Sequence, residues 1–313
     1  MVLTTLVILF GLALNARAAE KVRYGTGVRL FPAYYLPPLA AEEKGFWKEN
    51  GLEAEWVPFK SSADMITGIV SGGLNIGVTT AASFMTAAAR GIPIIIVSDL
   101  APDEWVIWVR ADSRYKEPKE LKGAKLGMAR LGGTILAYAH ILAKATGLEN
   151  QIKFLGTGDM VTTVALLKVG VIDLYLQPFS GAVNLKLSGE VREIGNMSDY
   201  FPKPWAGHMV LAQKEFARRN PDTVKRVVKA VLQGNDYGRK NQAWAMDKMK
   251  SIQGFTEEAA RLVFEREVST LSKDGKIPKK AIENVRNFML EYNIVDKAKT
   301  PAVEDLFTAE FTG

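Results

Sequence analysis

The residue types that most often run enzymatic chemistry are scarce in this sequence. Its 313 residues include two histidines, His140 and His208, and no cysteine. A zinc-binding HExxH motif is absent, and Ser180 in QPFSGAV lacks the first glycine of a GxSxG nucleophile elbow. His140 lies within the apolar run ILAYAHILA and His208 precedes the strand-like MVLA, and both positions are typical of structural histidines. We therefore expect no catalytic residue, no metal and no cofactor.

Three other segments carry hydrogen-bond donors that suit an anion. Each follows a predicted strand and opens a predicted helix, where free backbone N–H groups and a partial positive charge are available. The segments are Lys60, Ser61 and Ser62; Thr79 and Thr80; and Arg130, Leu131, Gly132, Gly133 and Thr134. The glycine pair lets the backbone approach a ligand closely, and the arginine adds a charge-assisted hydrogen bond.

Ordinary helix capping is the alternative interpretation of each segment. Ser61 with Asp64 three residues later resembles a capping arrangement, and Thr134 is a competent cap by itself. Three such segments in one chain favour a shared site, because the carboxyl ends of strands in open α/β sheets converge on one crevice. We therefore predict that these segments form an anion-binding site.

Aromatic side chains at predicted loop positions supply the other half of a binding site. Such rings wall a pocket by stacking on a ligand or by excluding water around it. They are Phe31, Tyr34 and Tyr35 after the first strand, Trp105 after a proline-containing loop, and Trp205 in FPKPW. Arg29, just before the first group, supplies a further cation. The sequence therefore predicts an anionic or polar ligand with an organic portion.

The alternation of elements indicates how these segments are positioned. Short apolar runs alternate with helix-period segments from residue 22 to about residue 187, which predicts βα units around mostly parallel sheets. The predicted strands span 22–27, 52–59, 76–79, 94–100, 105–110, 125–128, 152–155 and 171–176. The predicted helices between them span 36–50, 63–71, 81–90, 134–146 and 160–169. Amphipathic helices at 222–234, 243–250, 256–271 and 279–292 follow, and we interpret them as packing elements.

Composition excludes several classes of protein. Hydrophobic residues make up 48% of the chain and charged residues 24%, which is typical of a folded protein rather than a disordered one. The length suits about two domains. The formal net charge is +6, but lysine and arginine are scattered among acidic residues, as in KEPKELKGAK from Lys116. We therefore expect no nucleic-acid binding.

The N-terminal residues predict export. Residues 2–14 form an apolar stretch too short to span a bilayer, and Ala16, Arg17 and Ala18 follow as a small-x-small cleavage pattern. We therefore expect residues 1–18 to be a signal peptide. Since no cysteine follows the stretch, we expect no bacterial lipid anchor and predict a secreted, soluble, periplasmic mature chain.

Four longer segments, taken in order, match the pattern of one known family. They are PAYYLPPLAAEEKGFWKENGLEAE from Pro32, SSADMITGIVSGGLNIGVTTAASFMTAAARGIPI from Ser61, PKELKGAKLGMARLGGT from Pro118 and GDMVTTVALLKVGVIDLYLQPF from Gly158. Together they resemble the nitrate, sulfonate and taurine group of ABC-transporter substrate-binding proteins, which also includes thiamine-precursor binders. The resemblance implies an α/β, type II periplasmic-binding fold, in which two lobes joined by two crossings close over one ligand.

Mapped onto this sequence, the family fold implies a discontinuous first lobe and an inserted second lobe. The first lobe would comprise 19–110 and 207–313, with a helical C-terminal extension, and the second lobe 111–206. The crossings would fall near 112–118 and near 204–208. The resemblance also implies which residues face the cleft: Thr79, Thr80, the loop after the first strand, Arg130 to Thr134, and Gln177.

Three positions depart from the family's usual pattern. Asn75 replaces an acidic residue, the glycine pair before Thr134 replaces a Gly-Ser pair, and LQP at 176–178 replaces Trp-Asp-Pro. Loss of the last acid favours a ligand that accepts hydrogen bonds or carries negative charge. The cysteine-rich motif of the eukaryotic pyrimidine synthase in the same superfamily is absent, so its enzymology is not expected here.

The sequence therefore predicts a periplasmic solute-binding protein that delivers a small molecule to an ABC permease and ATPase complex in the inner membrane. We expect a sulfonate or taurine-like ligand first and a nitrate-sized ion second. A flat heteroaromatic such as a thiamine-precursor pyrimidine is an alternative, as is a secreted carboxylate-dependent enzyme on the same fold. We expect the chain to act as a monomer.

Overall fold

The computed structural model of the protein describes residues 19–27 and 31–312. The predicted signal peptide at 1–18 and Arg29 lie outside the described residues. No helix in the described part of the chain has the length and hydrophobicity that a bilayer span requires.

The first of two five-stranded sheets is built from two separate parts of the chain. It contains β1 (Glu20–Thr26), β2 (Leu52–Pro58), β3 (Ile76–Thr80), β4 (Ile94–Ala101) and β10 (His208–Gln213), numbered in chain order. The strand order is β2-β1-β3-β10-β4, with β1 parallel to its neighbours and β10 antiparallel to β3 and β4. Every residue of β3 is buried, which suits a strand covered on both faces of the sheet.

The second sheet lies within the intervening residues. It contains β5 (Trp105–Arg110), β6 (Lys125–Met128), β7 (Lys153–Gly156), β8 (Leu174–Pro178) and β9 (Val191–Asn196). The strand order is β7-β6-β8-β5-β9, with β6 parallel to β7 and β8, and β5 antiparallel to β8 and β9. The predicted α/β class is confirmed, and each sheet combines parallel and antiparallel pairs.

Strand β5 corrects the expected boundary between the lobes. A boundary at residue 110 would place 105–110 in the first lobe, whereas β5 pairs along its length with β8 and β9 of the second sheet. The first crossing therefore lies at 102–104 rather than near 112–118, and the second lies between β9 and β10. The apolar run WVIWV suits a buried strand in either sheet, so its composition carries no information about which sheet it joins.

Helices flank both sheets. Those before the second crossing are α1 (Pro32–Glu43), α2 (Phe46–Glu49), α3 (Ser62–Val70), α4 (Ala81–Ala88), α5 (Gly133–Ala145), α6 (Met160–Lys168) and α7 (Val183–Leu187). Those after it are α8 (Lys214–Arg219), α9 (Pro221–Lys240), α10 (Gln242–Gln253), α11 (Glu257–Val263), which continues into a π-helical turn (Phe264–Val268), and α12 (Lys279–Glu291). The predicted helix at 36–50 is two helices, because Gly45 adopts a φ of 78° between α1 and α2.

Close packing against α1 fixes the position of α9. The buried face of α9 carries Val224, Val227, Val228 and Val231, the spacing expected of an amphipathic helix. Gly234 continues this face and lies against the backbone of α1. A Cβ atom at Gly234 would lie 2.9 Å from the carbonyl carbon of Pro37 and closer still to its carbonyl oxygen. The two helices can therefore approach this closely only because residue 234 has no side chain.

Gly234→Ala is expected to destabilise the protein, although alanine normally stabilises a helix interior relative to glycine by about 1 kcal/mol. The added methyl group pushes α9 away from α1, and overpacking of this kind costs about 1–3 kcal/mol. Gly238→Ala is the matched control on the same helix, because a Cβ atom there meets only Trp244, at 3.8 Å. Chemical denaturation should show a lower free energy of unfolding for Gly234→Ala alone, and equal effects of the two variants would contradict this packing.

Candidate functional site

A cavity of about 630 Å³ lies between the loops of the two sheets. Its first-lobe wall comes from residues that follow β1 and β2 and from the turn between α10 and α11, and its second-lobe wall from the loops after β6, β7 and β8. The lining includes Phe31, Phe59, Lys60, Gln253 and Phe255 in the first lobe, and Arg130, Asp159, Gln177, Ser180 and Asn184 in the second. The cavity thus lies at the carboxyl ends of the parallel strands, where α/β sheets commonly bind ligands.

Lys60 and Arg130 bring positive charge to opposite walls of the cavity. Lys60 follows β2 and directly precedes the cap of α3. Arg130 follows β6, and its Nε lies 3.5 Å from Oδ2 of Asp64 in α3, so this ion pair bridges the two lobes. The side chains of Arg130 and Asp64 are 57% and 38% exposed, so the pair is weak and leaves the guanidinium available to a ligand.

Asp159 is the one carboxylate among the described lining residues, and it caps the N-terminus of α6. Its Oδ1 accepts a hydrogen bond of 2.8 Å from the backbone N–H of Thr162, which caps the helix. Hydrogen bonds from Thr162 hold the pKa of Asp159 below its ordinary value. The described lining therefore carries two cations and one carboxylate, and Asp64 balances Arg130 only through a weak, exposed ion pair, so the lining favours an anionic group on the ligand.

Much of the remaining lining is apolar. The rings of Phe31, Phe59 and Phe255 lie on the first-lobe side, while Pro178 and Met160 lie on the second. Gln177, at the end of β8, is 5% exposed and adds an amide group. Gly181 leaves room for that amide, because a Cβ atom at residue 181 would lie 3.0 Å from the Oε1 of Gln177. The cavity therefore suits a ligand with an apolar body and a few polar groups.

The three predicted helix starts come together, but their hydroxyl groups hydrogen-bond one another. The Oγ1 of Thr79 donates to the Oγ of Ser62 at 2.6 Å. The Oγ1 atoms of Thr80 and Thr134 are 2.8 Å apart and join the start of α4 in the first lobe to the start of α5 in the second. All four residues are buried and lie outside the cavity lining. At these helix starts, one hydrogen bond within the first lobe and one between the lobes occupy the side chains predicted to bind an anion.

The capping interpretation is right for two of the helix starts. Ser61 caps α3 and Thr80 caps α4, and each side chain accepts a hydrogen bond of 3.2 Å from the backbone N–H three residues later. It is wrong for Thr134, because Gly132 occupies the cap position of α5. Gly133 begins that helix with a φ of 66°, a left-handed conformation that glycine adopts without a steric penalty.

Of the predicted aromatic residues, Phe31 lines the cavity and the other four have structural partners elsewhere. The hydroxyl of Tyr35 donates to the Oε1 of Gln253 at 2.5 Å and so supports the cavity wall from behind. Trp105 is buried, and its ring meets the edge of Tyr138 with the centroids 5.5 Å apart.

Tyr34 and Trp205 belong to a buried network at the two crossings. The Nε1 of Trp205 donates to the Oδ2 of Asp103 at 3.2 Å, and the hydroxyl of Tyr138 donates to the same oxygen. The hydroxyl of Tyr34 lies 2.8 Å from the Nδ1 of His208. Burial raises the pKa of Asp103 to about 7 and lowers the pKa of His208 to about 3. His208 is therefore neutral at physiological pH.

The described residues offer no metal centre. Among them, no three His, Asp or Glu side chains lie together as a metal ion would need. His140 lies on the exposed face of α5, with its ring centroid 5.1 Å from that of Phe154.

The turn between α10 and α11 contributes lining residues that the sequence pattern assigns only to packing. Gln253 and Phe255 flank Gly254, which has a φ of 67° and ends α10. The Nδ2 of Asn184 in α7 donates to the carbonyl oxygen of Gly254 at 3.3 Å. A glycine between two amphipathic helices predicts a turn, but nothing in the sequence indicates that this turn contacts the second lobe.

The family model described as NMT1/THI5 like matches residues 33–245. Among curated relatives, a binding protein of Brucella abortus (strain 2308) is 23% identical over 209 residues, which are 66% of this chain and 64% of the relative. The chain thus spans less than two thirds of that relative. The 4-amino-5-hydroxymethyl-2-methylpyrimidine phosphate synthase of Aspergillus parasiticus is 23% identical over 295 residues, 89% of this chain and 84% of that enzyme.

Solved structures with similar folds have low sequence identity to this chain. A Candida albicans protein with the generic periplasmic binding protein fold matches with a TM-score of 0.79 and 15% identity, over 93% of this chain and 96% of that chain. The alkanesulfonate-binding protein SsuA from Xanthomonas axonopodis pv. citri, bound to MOPS, matches with a TM-score of 0.76 and 15% identity, over 93% of this chain and 99% of that chain. The periplasmic nitrate-binding protein NrtA from Synechocystis PCC 6803 matches with a TM-score of 0.76 and 14% identity, over 94% of this chain and 87% of that chain. Since the family model covers more than half of its length, this chain belongs to the NMT1/THI5-like family, and it has the periplasmic binding protein fold.

Proposed function

We propose that the protein is the solute-binding component of an ABC importer and captures a small organic anion between its lobes. The observation that carries this proposal is the position of Lys60 and Arg130 on opposite walls of a largely apolar cavity of about 630 Å³. Cavities of roughly 300–1,000 Å³ with apolar walls and a few polar groups are typical of small-molecule sites.

The role in transport is supported by the proteins that share this fold. SsuA is named for the binding of alkanesulfonates, and NrtA for the binding of nitrate. By analogy, this chain acts in the periplasm after removal of a signal peptide, works as a monomer, and delivers its ligand to a permease and ATPase complex in the inner membrane. It binds its ligand without converting it.

The size of the cavity favours an organic sulfonate over a nitrate-sized ion. An organic anion places its charged group near Lys60 and Arg130 and its apolar part against Phe31 and Phe255. Nitrate is too small to make both kinds of contact at once. A taurine-like ligand reaches the cations but leaves most of the apolar wall uncovered, so larger organosulfonates fit best.

A flat heteroaromatic such as a pyrimidine is the second candidate. Three phenylalanine rings line the first-lobe wall and suit stacking on a planar ligand, and the amide of Gln177 suits its ring nitrogens. The Aspergillus relative, whose name refers to synthesis of a pyrimidine phosphate, gives this candidate additional support.

Ligand binding selects the closed arrangement of the lobes. The Arg130 to Asp64 ion pair and the Thr80 to Thr134 hydrogen bond already join the lobes through polar contacts. A ligand that bridges the two walls interacts with both lobes only when they are together, and this differential affinity shifts the population toward closure.

A thermal-shift screen of the protein should identify the ligand class. MOPS, which combines a sulfonate with a ring, and other organosulfonates should raise the melting temperature more than taurine, and taurine more than nitrate. A ligand at about 100 times its dissociation constant stabilises the folded state by about 2.7 kcal/mol. A larger shift with pyrimidines would favour the second candidate, and no shift with any of these compounds would contradict the proposal. Recovery of a chemically altered ligand would favour an enzyme instead.

Arg130→Gln is expected to weaken binding of the best organosulfonate by about 10–100-fold, because it removes a charge-assisted hydrogen bond worth about 1.5–3 kcal/mol. Isothermal titration calorimetry measures the change. Asp64→Asn separates the loss of a ligand contact from the loss of the ion pair between the lobes. It breaks the ion pair but leaves Arg130 free to bind the ligand, so we expect equal or tighter binding. Lys153→Gln, exposed on β7 and outside the lining, is the matched charge control. Unchanged affinity in Arg130→Gln would disprove the assignment of the anion site.

A further inference from the structure

Glu267 is a buried carboxyl group next to the cavity wall, and the proposed function does not use it. It lies in the π-helical turn that follows α11 and is 2% exposed. Its Oε1 accepts a hydrogen bond of 2.7 Å from the backbone N–H of Ser180, and its Oε2 has no hydrogen-bond partner. Burial of an ionised carboxylate in this way is costly unless a cation compensates it.

The titratable groups around Glu267 compensate its charge only in part. Tyr35 faces it from α1, Glu104 from the first crossing adds repulsion, and Arg266 is its neighbour in the turn. Arg266 is engaged by other carboxylates, since its Nη1 lies 3.0 Å from Oε2 of Glu193 and its Nε lies 3.6 Å from Oε2 of Glu104. Burial outweighs the hydrogen bond from Ser180, which favours the ionised form, and raises the pKa of Glu267 to about 8.

The hydrogen bond between Glu267 and Ser180 joins the two lobes. The π-helical turn contacts α1 and α10 on the first-lobe side. Ser180 lies in the 3₁₀ turn Phe179–Gly181 that directly follows β8 of the second sheet. Ser180 and Gly181 both line the cavity. Separation of the lobes would break this hydrogen bond and expose Glu267 to water.

We propose that Glu267 is a positioning residue for ligand binding: in its protonated form it holds the Ser180 turn in the cavity wall and favours the closed arrangement, and its ionisation favours opening. The inference rests on the proposed function and describes the regulation of the same site. Closure of the lobes over a ligand is therefore accompanied by uptake of a proton.

The direction of the pH dependence follows from the two states of the carboxyl group. In the open arrangement, water reaches the carboxyl group and its pKa moves down toward the ordinary value of 4.5. In the closed arrangement, burial raises the pKa to about 8. Glu267 favours closure fully when the pH is below its open-state pKa. This contribution is lost as the pH rises toward about 8, and the ratio of closed to open protein then falls by at most about tenfold per pH unit.

Interlobe distances measured at two pH values test this proposal. The chain has no cysteine, so two introduced cysteines can carry spin labels without competing sites. Glu53→Cys in β2 and Lys153→Cys in β7 place the labels at exposed positions on an outer strand of each sheet. Without ligand, we expect the distance distribution to shift toward longer distances between about pH 6 and about pH 9. Glu267→Gln keeps an uncharged acceptor for the N–H of Ser180, and we expect it to hold the shorter distance at both pH values.

Glu265→Gln is the matched control and should behave like the unsubstituted protein. Glu265 lies in the same turn, its side chain is 53% exposed, and it pairs with Arg261. Distances that do not depend on pH, or a pH-dependent shift that persists in Glu267→Gln, would overturn the proposal. Because the measurement uses no ligand, its result is independent of the thermal-shift screen that tests the proposed function.

Discussion

The buried carboxyl group of Asp103 holds together the two short crossings that join the lobes. Asp103 lies in the first crossing and accepts hydrogen bonds from Trp205 in the second crossing and from Tyr138 in α5. His208 begins β10 directly after the second crossing, and its partner is Tyr34 in α1. A buried polar group that loses its partner costs about 1–3 kcal/mol, so these groups fix the crossings side by side. The orientation of the two cavity walls depends on this arrangement.

Beyond the crossings, polar contacts on both sides of the cavity supplement the apolar contacts that the lobes share. On one side are the hydroxyl groups of Thr80 and Thr134 and the exposed Arg130 to Asp64 ion pair. On the other is the buried hydrogen bond from Ser180. A hydrogen bond contributes about 0.5–1.5 kcal/mol and an exposed ion pair about 1 kcal/mol or less, because water competes for the same groups. Contacts this weak support the proposal that a ligand bridging both walls shifts the lobes toward closure.

Local sequence patterns predicted much of the fold and part of the site. Apolar runs and helix starts gave most of the elements, but β9 was missed because only Val191 of that strand is buried. Four predicted site residues line the cavity, namely Phe31, Lys60, Arg130 and Gln177. Aromatic residues such as Trp105 do not, since an aromatic side chain near a loop serves core packing equally well. Nothing in the sequence indicated Glu267, because its burial results from contacts with α1 and with Ser180, which are distant in sequence.

The position of β10 imposes an order on the folding of the chain. β3 and β4 do not pair with each other, and each pairs instead with β10, which follows the second lobe in the sequence. A chain that emerges from its N-terminus therefore cannot complete the first sheet until residue 213 is available. Residues 105–196, in contrast, contain every strand of the second sheet. The second lobe, although it is inserted in the sequence, can therefore complete its sheet first. The first sheet is completed afterwards, when β10 inserts between β3 and β4.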